Sequence, residues 1–171
     1  MNGNEVLIRP VQLADVASYR VYSEVITRER RYWGKTEPKT VSELTQWIGL
    51  ALERRTPFFV AVEGTAVVGH ADLTVPVLEG HGHLGSIGMG LLPNYRGRGL
   101  GLSLLTAVVS GGWYFGLTRI ELQAFSSNTL AIQLYERFGF RHEGIRRRAR
   151  LLDGEYDDVV LMSLLRDEVI E

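Results

Sequence analysis

Residues 91–101, Leu91-Leu92-Pro93-Asn94-Tyr95-Arg96-Gly97-Arg98-Gly99-Leu100-Gly101, constrain this chain more than any other stretch. An apolar strand pattern leads in. Three glycines alternate with Arg98 and Leu100, and an apolar helical pattern follows over 102–115. Glycines at this density permit positive φ and bring backbone N–H groups close to an anion that side chains would hold away. The helix that follows adds the positive end of its dipole. The stretch reads as a phosphate cradle. A Walker loop would end in Gly-Lys-Ser/Thr, whereas Gly99-Leu100-Gly101-Leu102 stands here. A dinucleotide fingerprint needs G-x-G-x-x-G, and Gly97, Gly99 and Gly101 have another spacing.

The flanking pattern supplies the rest of a fold. Val6-Leu7-Ile8 predicts a short strand ended by Arg9-Pro10. Residues 13–25 carry helical spacing at Leu13, Val16, Ala17, Tyr19, Val21 and Val25, with Asp15 in the first turn, where the helix dipole favours an anion. Residues 27–40 read as a loop holding Tyr32 and Trp33. A second helix over 42–55 is capped by Ser42 and shows Leu44, Trp47, Ile48, Ala51 and Leu52 on one face. Strands are expected over 57–63, 66–75, 83–92, 119–125, 140–152 and 155–165, with hairpin turns at Gly64-Thr65 and Asp153-Gly154. Gly85, Gly88 and Gly90 interrupt the 83–92 strand, which marks a bulge or a close approach by another group. Ser126-Ser127-Asn128 caps a helix over 129–138. The order β α α β β β α β α β β, without repeats or linker, predicts one α/β (α+β) domain over 1–171, with a mixed sheet and helices on both faces.

Composition removes several functions. A net charge of -1 argues against a nucleic-acid binder. The chain has no cysteine, which excludes disulfides, a thiol nucleophile and a Cys-ligated zinc site. No apolar run is long enough to span a bilayer, and the first residues lack the blocks of a signal peptide, so a soluble cytoplasmic protein is expected. His81-Gly82-His83 has no clear third ligand and reads as a surface loop; no metal is expected. Arg146-Arg147-Arg148 with Arg150 reads as a solvated strand or as partners of the acidic pair at 157–158.

Four motifs recur in a telling order. They are Ile8-Arg9-Pro10 with Asp15, Leu91-Leu92-Pro93 leading into Arg96-Gly97-Arg98-Gly99-Leu100-Gly101, Asn128-x-x-Ala131-x-x-Leu134-Tyr135-Glu136, and Phe138-Gly139-Phe140 followed by Glu143-Gly144. Over nearly its whole length the chain resembles the GNAT superfamily of acyl-CoA-dependent N-acetyltransferases. The resemblance implies the GNAT fold, with a mostly antiparallel sheet of about seven strands, and acetyl-CoA as co-substrate. It puts the pyrophosphate on residues 96–101 and the pantetheine arm beside the backbone of Met89, Gly90 and Leu91. Asn128 is then a contact to that arm, and Tyr135 the acid that protonates the departing thiolate. A backbone N–H near Leu91 would serve the oxyanion.

The same resemblance leaves the general base unnamed. Gly85 and Gln123 occupy the positions where relatives carry a glutamate, and neither accepts a proton. Glu121 shares the strand face of Gln123 and reads better as a solvated strand residue. Tyr32 and Trp33 fall where the family builds its acceptor lid, with Glu24, Glu29 and Glu37 around them. The C-terminal pattern Glu143-Gly144, Arg147, Gly154, Asp157 and Met162 looks like the subgroup acting on ribosomal-protein N-termini, polyamines and small amines. A small-molecule amine is the first expectation for the acceptor and a protein N-terminus the second. A non-catalytic acyl-CoA-binding module is the reading from another class. Relatives that pair through their C-terminal strands leave room for a homodimer.

Overall fold

The computed structural model describes residues 5–169. Its seven strands run in the order β1-β2-β3-β4-β5-β7-β6, numbered along the chain. Two compact units form. One holds the described residues up to Leu73 together with Gly88–Phe115, and the other holds Thr74–Ile87 with the described residues from Gly116 onward. The element order matches the sequence expectation, with single 3-10 turns added at Leu13–Asp15, Pro93–Tyr95 and Arg166–Glu168.

In the first unit, β1 (Val6–Pro10) pairs antiparallel with β2 (Phe58–Glu63), and β2 with β3 (Ala66–Thr74). Because strand residues alternate, β2 offers two apolar faces. Phe58, Val60 and Val62 join a buried cluster with Val16, Tyr19, Tyr22 and Ile26 of α1 (Val16–Arg28) and Leu44 and Ile48 of α2 (Val41–Arg54). Phe59 points the other way, against Gly111 of α3 (Leu100–Phe115), where an added Cβ would lie 3.1 Å from its ring. Helices therefore cover both faces of these strands.

Two local expectations change. The buried stripe of α1 is Val16, Tyr19, Tyr22, Ser23, Ile26 and Thr27, while Leu13, Val21 and Val25 are exposed. Val16 and Tyr19 lie on the stripe as expected, whereas Leu13, Val21 and Val25, spaced in multiples of four, follow a row on its exposed side. In α2, Leu52 is likewise exposed. Asp15 lies in the first turn, as expected, and does more than face a helix dipole. It is buried and takes both Arg9 guanidinium nitrogens at 2.7 and 2.8 Å and the Gln12 N–H at 2.8 Å, which pins the chain as it leaves β1. The hydrogen bonds from Arg9 hold its carboxyl below the usual range. Thr40, not Ser42, caps α2. Its hydroxyl accepts the Glu43 N–H at 3.2 Å, and the Glu43 carboxylate accepts the Thr40 N–H at 2.7 Å, a reciprocal capping box.

In the second unit, β4 (Leu84–Leu91) runs parallel to β5 (Arg119–Phe125) from Leu84↔Arg119 to Ser86↔Glu121. Antiparallel pairing joins β5 to β7 (Glu155–Leu165), and β7 to β6 (Arg141–Leu152). Leu117, Ile120, Leu122, Met162 and Leu164 are buried here, and α4 (Thr129–Phe138) packs Tyr135 toward Phe140. The arginine run does contact the acidic pair. Arg150 bonds Asp157 at 2.9 Å while lying 3.7 Å over the Phe125 ring, and the Arg148 N–H donates to Asp158 at 2.7 Å. Register shifts between Arg146 and Arg150, and between His142 and Gly144, break the simple alternation expected of that strand.

Replacing Thr40 by Ala removes one half of the capping box at an exposed helix end. We expect a loss of about 1 kcal/mol in urea unfolding, with the m-value unchanged.

Candidate functional site

The glycine loop leaves β4 through the Pro93–Tyr95 turn and enters α3. Gly97 and Gly99 take φ of 72° and 80°. An added Cβ at either would meet nothing within 4 Å, so the requirement there is the backbone angle and not space. Ser103 N–H closes on the Gly99 carbonyl at 3.2 Å, the start of the helix ladder. Among the described residues the N–H groups of Gly97, Arg98, Gly99, Leu100, Gly101 and Leu102 have no backbone acceptor. They are the orphan donors of a helix N-terminus, extended by the turn before it.

The two loop arginines differ. Arg96 donates from Nε to the Leu91 carbonyl at 3.0 Å and holds Glu29 of α1 with both terminal nitrogens, at 2.9 and 2.5 Å. Its charge is already paired, and it fastens the loop to α1 and to the end of β4. Arg98 lies 5.2 Å from the Tyr95 ring centre, and Tyr95 in turn donates to Glu63 at 2.7 Å. Arg98 makes no ion pair among the described residues, so it is the loop cation available to a phosphate.

At the strand before the loop, the glycines mark close approach. A Cβ on Gly90 would stand 2.7 Å from the Tyr22 hydroxyl and 3.5 Å from the Trp33 ring. One on Gly88 would stand 2.9 Å from a carboxylate oxygen of Asp72. Asp72 and His70 belong to one face of β3, two residues apart. His70 is fully buried among the rings of Tyr19, Tyr22, Trp33, Trp47 and Phe58. Its Nδ1 lies 2.8 Å from the Tyr22 hydroxyl. Its Nε2 lies 3.6 Å from Asp72 Oδ1, too far for a hydrogen bond, and has no partner. Burial pushes His70 down to about 3 and Asp72 up to about 7, with the Lys39 ammonium opposing the latter. At neutral pH the imidazole is uncharged, so the close approach of His70 and Asp72 is not an ion pair.

The remaining predicted residues lie in the second unit. Asn128 caps α4, its side-chain oxygen accepting the Ala131 N–H at 3.4 Å. Tyr135 is 8% exposed, and burial pushes its phenol up to about 12. Its hydroxyl has no hydrogen-bond partner among the described residues. Glu121 is not a freely solvated carboxylate, because Arg119 bonds it at 3.1 Å while also holding Glu143 at 2.6 and 2.8 Å. Hydrogen bonds from Arg119 and Ser163 hold Glu143 down to about 2. Gln123 accepts from Arg146. His81 Nδ1 sits 3.1 Å from the Glu79 carbonyl in a surface loop, and no group of three or more His, Asp or Glu among the described residues is placed to hold a metal. No helix among them is long and apolar enough to cross a membrane.

Sequence reasoning passed over Tyr22, His70 and Asp72. The available signal was Gly69-His70-Ala71-Asp72, two ionisable side chains on one face of an otherwise apolar strand.

The model of the acetyltransferase (GNAT) family matches residues 20–140, and the chain belongs to that family. It is 29% identical over 102 residues to an L-amino acid N-acetyltransferase of Escherichia coli K12, a match covering 58% of this chain and 62% of that protein. It is 33% identical over 72 residues to the ribosomal protein bS18 alanine N-acetyltransferase of the same strain, covering 42% of this chain and 49% of that protein. Both matches span less than two thirds of the relative's length. The structure of yncA from Salmonella typhimurium, solved with its cofactor acetyl-CoA, superposes with a TM-score of 0.89 at 20% identity and covers 98% of each chain. That likeness shows a shared fold.

Asp72 and His70 also imprint the pH dependence of stability. The folded protein binds the Asp72 proton more tightly than the unfolded chain does. That contribution is complete below 3.8 and is lost as pH rises through about 7. His70 contributes the reverse, a stability present above 6.5 and lost as pH falls through about 3. Asp72→Asn removes only the first. We expect its Tm to exceed that of the parent above pH 7 and the difference to close toward pH 4, followed by calorimetric scans.

Proposed function

We propose that this chain transfers the acetyl group of acetyl-CoA to the primary amine of a small molecule. The attack is direct, in a ternary complex, and the chain acts as a single cytoplasmic N-acetyltransferase domain. The observation that carries the reading is the row of free backbone N–H groups from Gly97 to Leu102 beside Arg98, in a chain of this family. These donors fit a pyrophosphate, which needs several hydrogen bonds and a cation. Arg96 acts by holding the loop, and the backbone of Met89, Gly90 and Leu91 takes the pantetheine amides as an added strand would. When bound, acetyl-CoA supplies an acyl group activated as a thioester.

The residues of the chain do the rest. Tyr135 keeps its proton at neutral pH because burial disfavours the phenolate. It gives that proton to the departing sulfur. Asn128 caps α4 and contacts the arm of the co-substrate. No covalent acyl-enzyme is expected of a chain without cysteine. The amino-acid N-acetyltransferase among the relatives supports a small acceptor. The bS18 alanine N-acetyltransferase supports a second reading, a protein N-terminus.

A thiol-release assay with acetyl-CoA against the proteinogenic L-amino acids, spermidine and a peptide with N-terminal alanine separates these. Turnover of free amines above the peptide is the expected result, and peptide preference favours the second reading. Acetyl-CoA binding without release from any amine would make the chain a binding module. Two variants test the parts. By calorimetry Arg98→Glu should weaken acetyl-CoA binding at least tenfold, about 1.4 kcal/mol. Tyr135→Phe should lower kcat about 10²-fold with cofactor affinity retained.

A further inference from the structure

We infer that Asp72 is the base that takes a proton from the acceptor ammonium, with His70, itself fixed by Tyr22, placed to orient it, on the face of β4 that Gly88 and Gly90 leave without side chains. This rests on the acetyltransferase reading and supplies the proton acceptor that Gly85 and Gln123 do not.

The geometry carries the assignment. The Asp72 carboxylate projects from β3 over Gly88, with one oxygen 2.9 Å from where a Cβ would stand. Any other residue at position 88 would occupy its place. Along the same face of β4 follow Gly90, the Tyr22 hydroxyl and the Trp33 ring. A carboxylate beside an indole is a combination that attracts an ammonium, through charge and through the ring face. Asp72 makes no hydrogen bond among the described residues, unlike Glu121 and Glu143, whose oxygens are taken by Arg119. Its side chain keeps 9% of its surface exposed and is otherwise desolvated.

His70 explains how the carboxylate is aimed. Burial holds the Tyr22 phenol protonated, and its O–H donates to His70 Nδ1. Nε2 then carries the ring hydrogen and points at Asp72 Oδ1 across 3.6 Å. A small inward shift converts this approach into a hydrogen bond, of the kind that tightens when a substrate binds. His70 and Tyr22 are positioning residues in this scheme.

The electrostatic surroundings suit the task. From α1, Tyr19 and Tyr22 face Asp72, both held neutral by burial. His70 on β3 is neutral. From the segment before α2, Lys39 is the cation, lowered by burial and then by Lys35, with Glu43 behind it. From β4 Gly88 approaches, and the strand carries no ionisable side chain. A carboxyl near 7 accepts a proton at neutral pH more readily than an ordinary carboxylate.

The step balances. The ammonium loses one proton to the Asp72 carboxylate and regains a lone pair. That pair forms the N–C bond to the acetyl carbon, and the C–S bond breaks with its electrons going to sulfur. Sulfur takes the Tyr135 proton, the second N–H proton restores the phenol, and Asp72 returns its proton to solvent.

The test has two arms. In the full chain labelled with 13C at Asp side chains, the Asp72 signal, assigned by its absence in Asp72→Asn, should titrate near pH 7. A midpoint at about 4, the ordinary carboxylate value, overturns the inference whatever the activity. In the second arm, the best amine of the thiol-release panel is used with Asp72→Asn and with Gly88→Ala, whose Cβ displaces the carboxylate. Both should lower kcat/KM at pH 7 at least about 10²-fold. Acetyl-CoA affinity should stay unchanged, and Asp72→Asn should lose the acidic limb of the pH profile. Undiminished turnover, or loss of acetyl-CoA binding in Asp72→Asn, overturns the inference. No release by the parent chain from any amine overturns the acetyltransferase reading itself, and the titration then still decides the state of Asp72.

Discussion

The structure of the first unit depends on two side chains that β4 does not have. Because Gly88 and Gly90 carry no Cβ, the Asp72 carboxylate and the Tyr22 hydroxyl come within 2.9 and 2.7 Å of where those atoms would lie. That closeness draws α1 onto β3 and β4 and packs His70 among five aromatic rings. Glycine inside a strand weakens it, by backbone entropy and lost packing. The strand is instead held by neighbours. Leu92 N–H bonds the Val68 carbonyl at 2.9 Å, and Arg96 ties the Leu91 carbonyl to Glu29 of α1. Loop, strand and first helix are thus one mechanical piece, which a pyrophosphate-binding loop needs if its N–H groups are to be aimed before the ligand arrives.

Most of the fold was legible because the chain keeps its periodicities. The β2–β3 hairpin, the glycines at 97–101 and the Asn128 cap each follow from local rules, and the structure has them in the expected places. Failures arose where a local rule competed with a longer contact. Asp15 sits in the first turn as expected, but its ion pair with Arg9, six residues back, was not legible. The cap of α2 moved to Thr40 because Glu43, three residues on, completes a reciprocal pair that Ser42 with Thr45 cannot make. In α1, Val16 and Tyr19 reach the buried stripe, while Leu13, Val21 and Val25 follow the i, i+4 row beside it.

The candidate site was legible to a different degree on its two sides. A phosphate cradle is made of backbone, and its requirement for positive φ shows as glycine in the sequence. The cluster of Trp33, Tyr22, His70 and Asp72 is made of side chains from separate elements, which come together only through the fold. Even the role of Arg96 was hidden, since its partner Glu29 lies 67 residues away.

The arrangement of carboxylates narrows where proton transfer can happen. A base is useful when its pKa is near the working pH, and an ion pair with arginine moves a carboxyl the wrong way. Glu143, at about 2 beside Arg119, holds its charge too well to accept a proton, and Glu121 shares that same guanidinium. Asp157 is lowered as well, its burial outweighed by hydrogen bonds from Ser127 and Ser126. In the first unit, Asp15 and Glu29 are locked to Arg9 and Arg96. Asp72 differs because its charge is desolvated and has no hydrogen bond to replace the lost water. Such a group costs folding free energy whatever other use its charged form has. The Asp72→Asn comparison therefore gains force from its two expected signs. A structural aspartate should lose stability when replaced, whereas a residue kept for proton transfer should yield a more stable and less active protein.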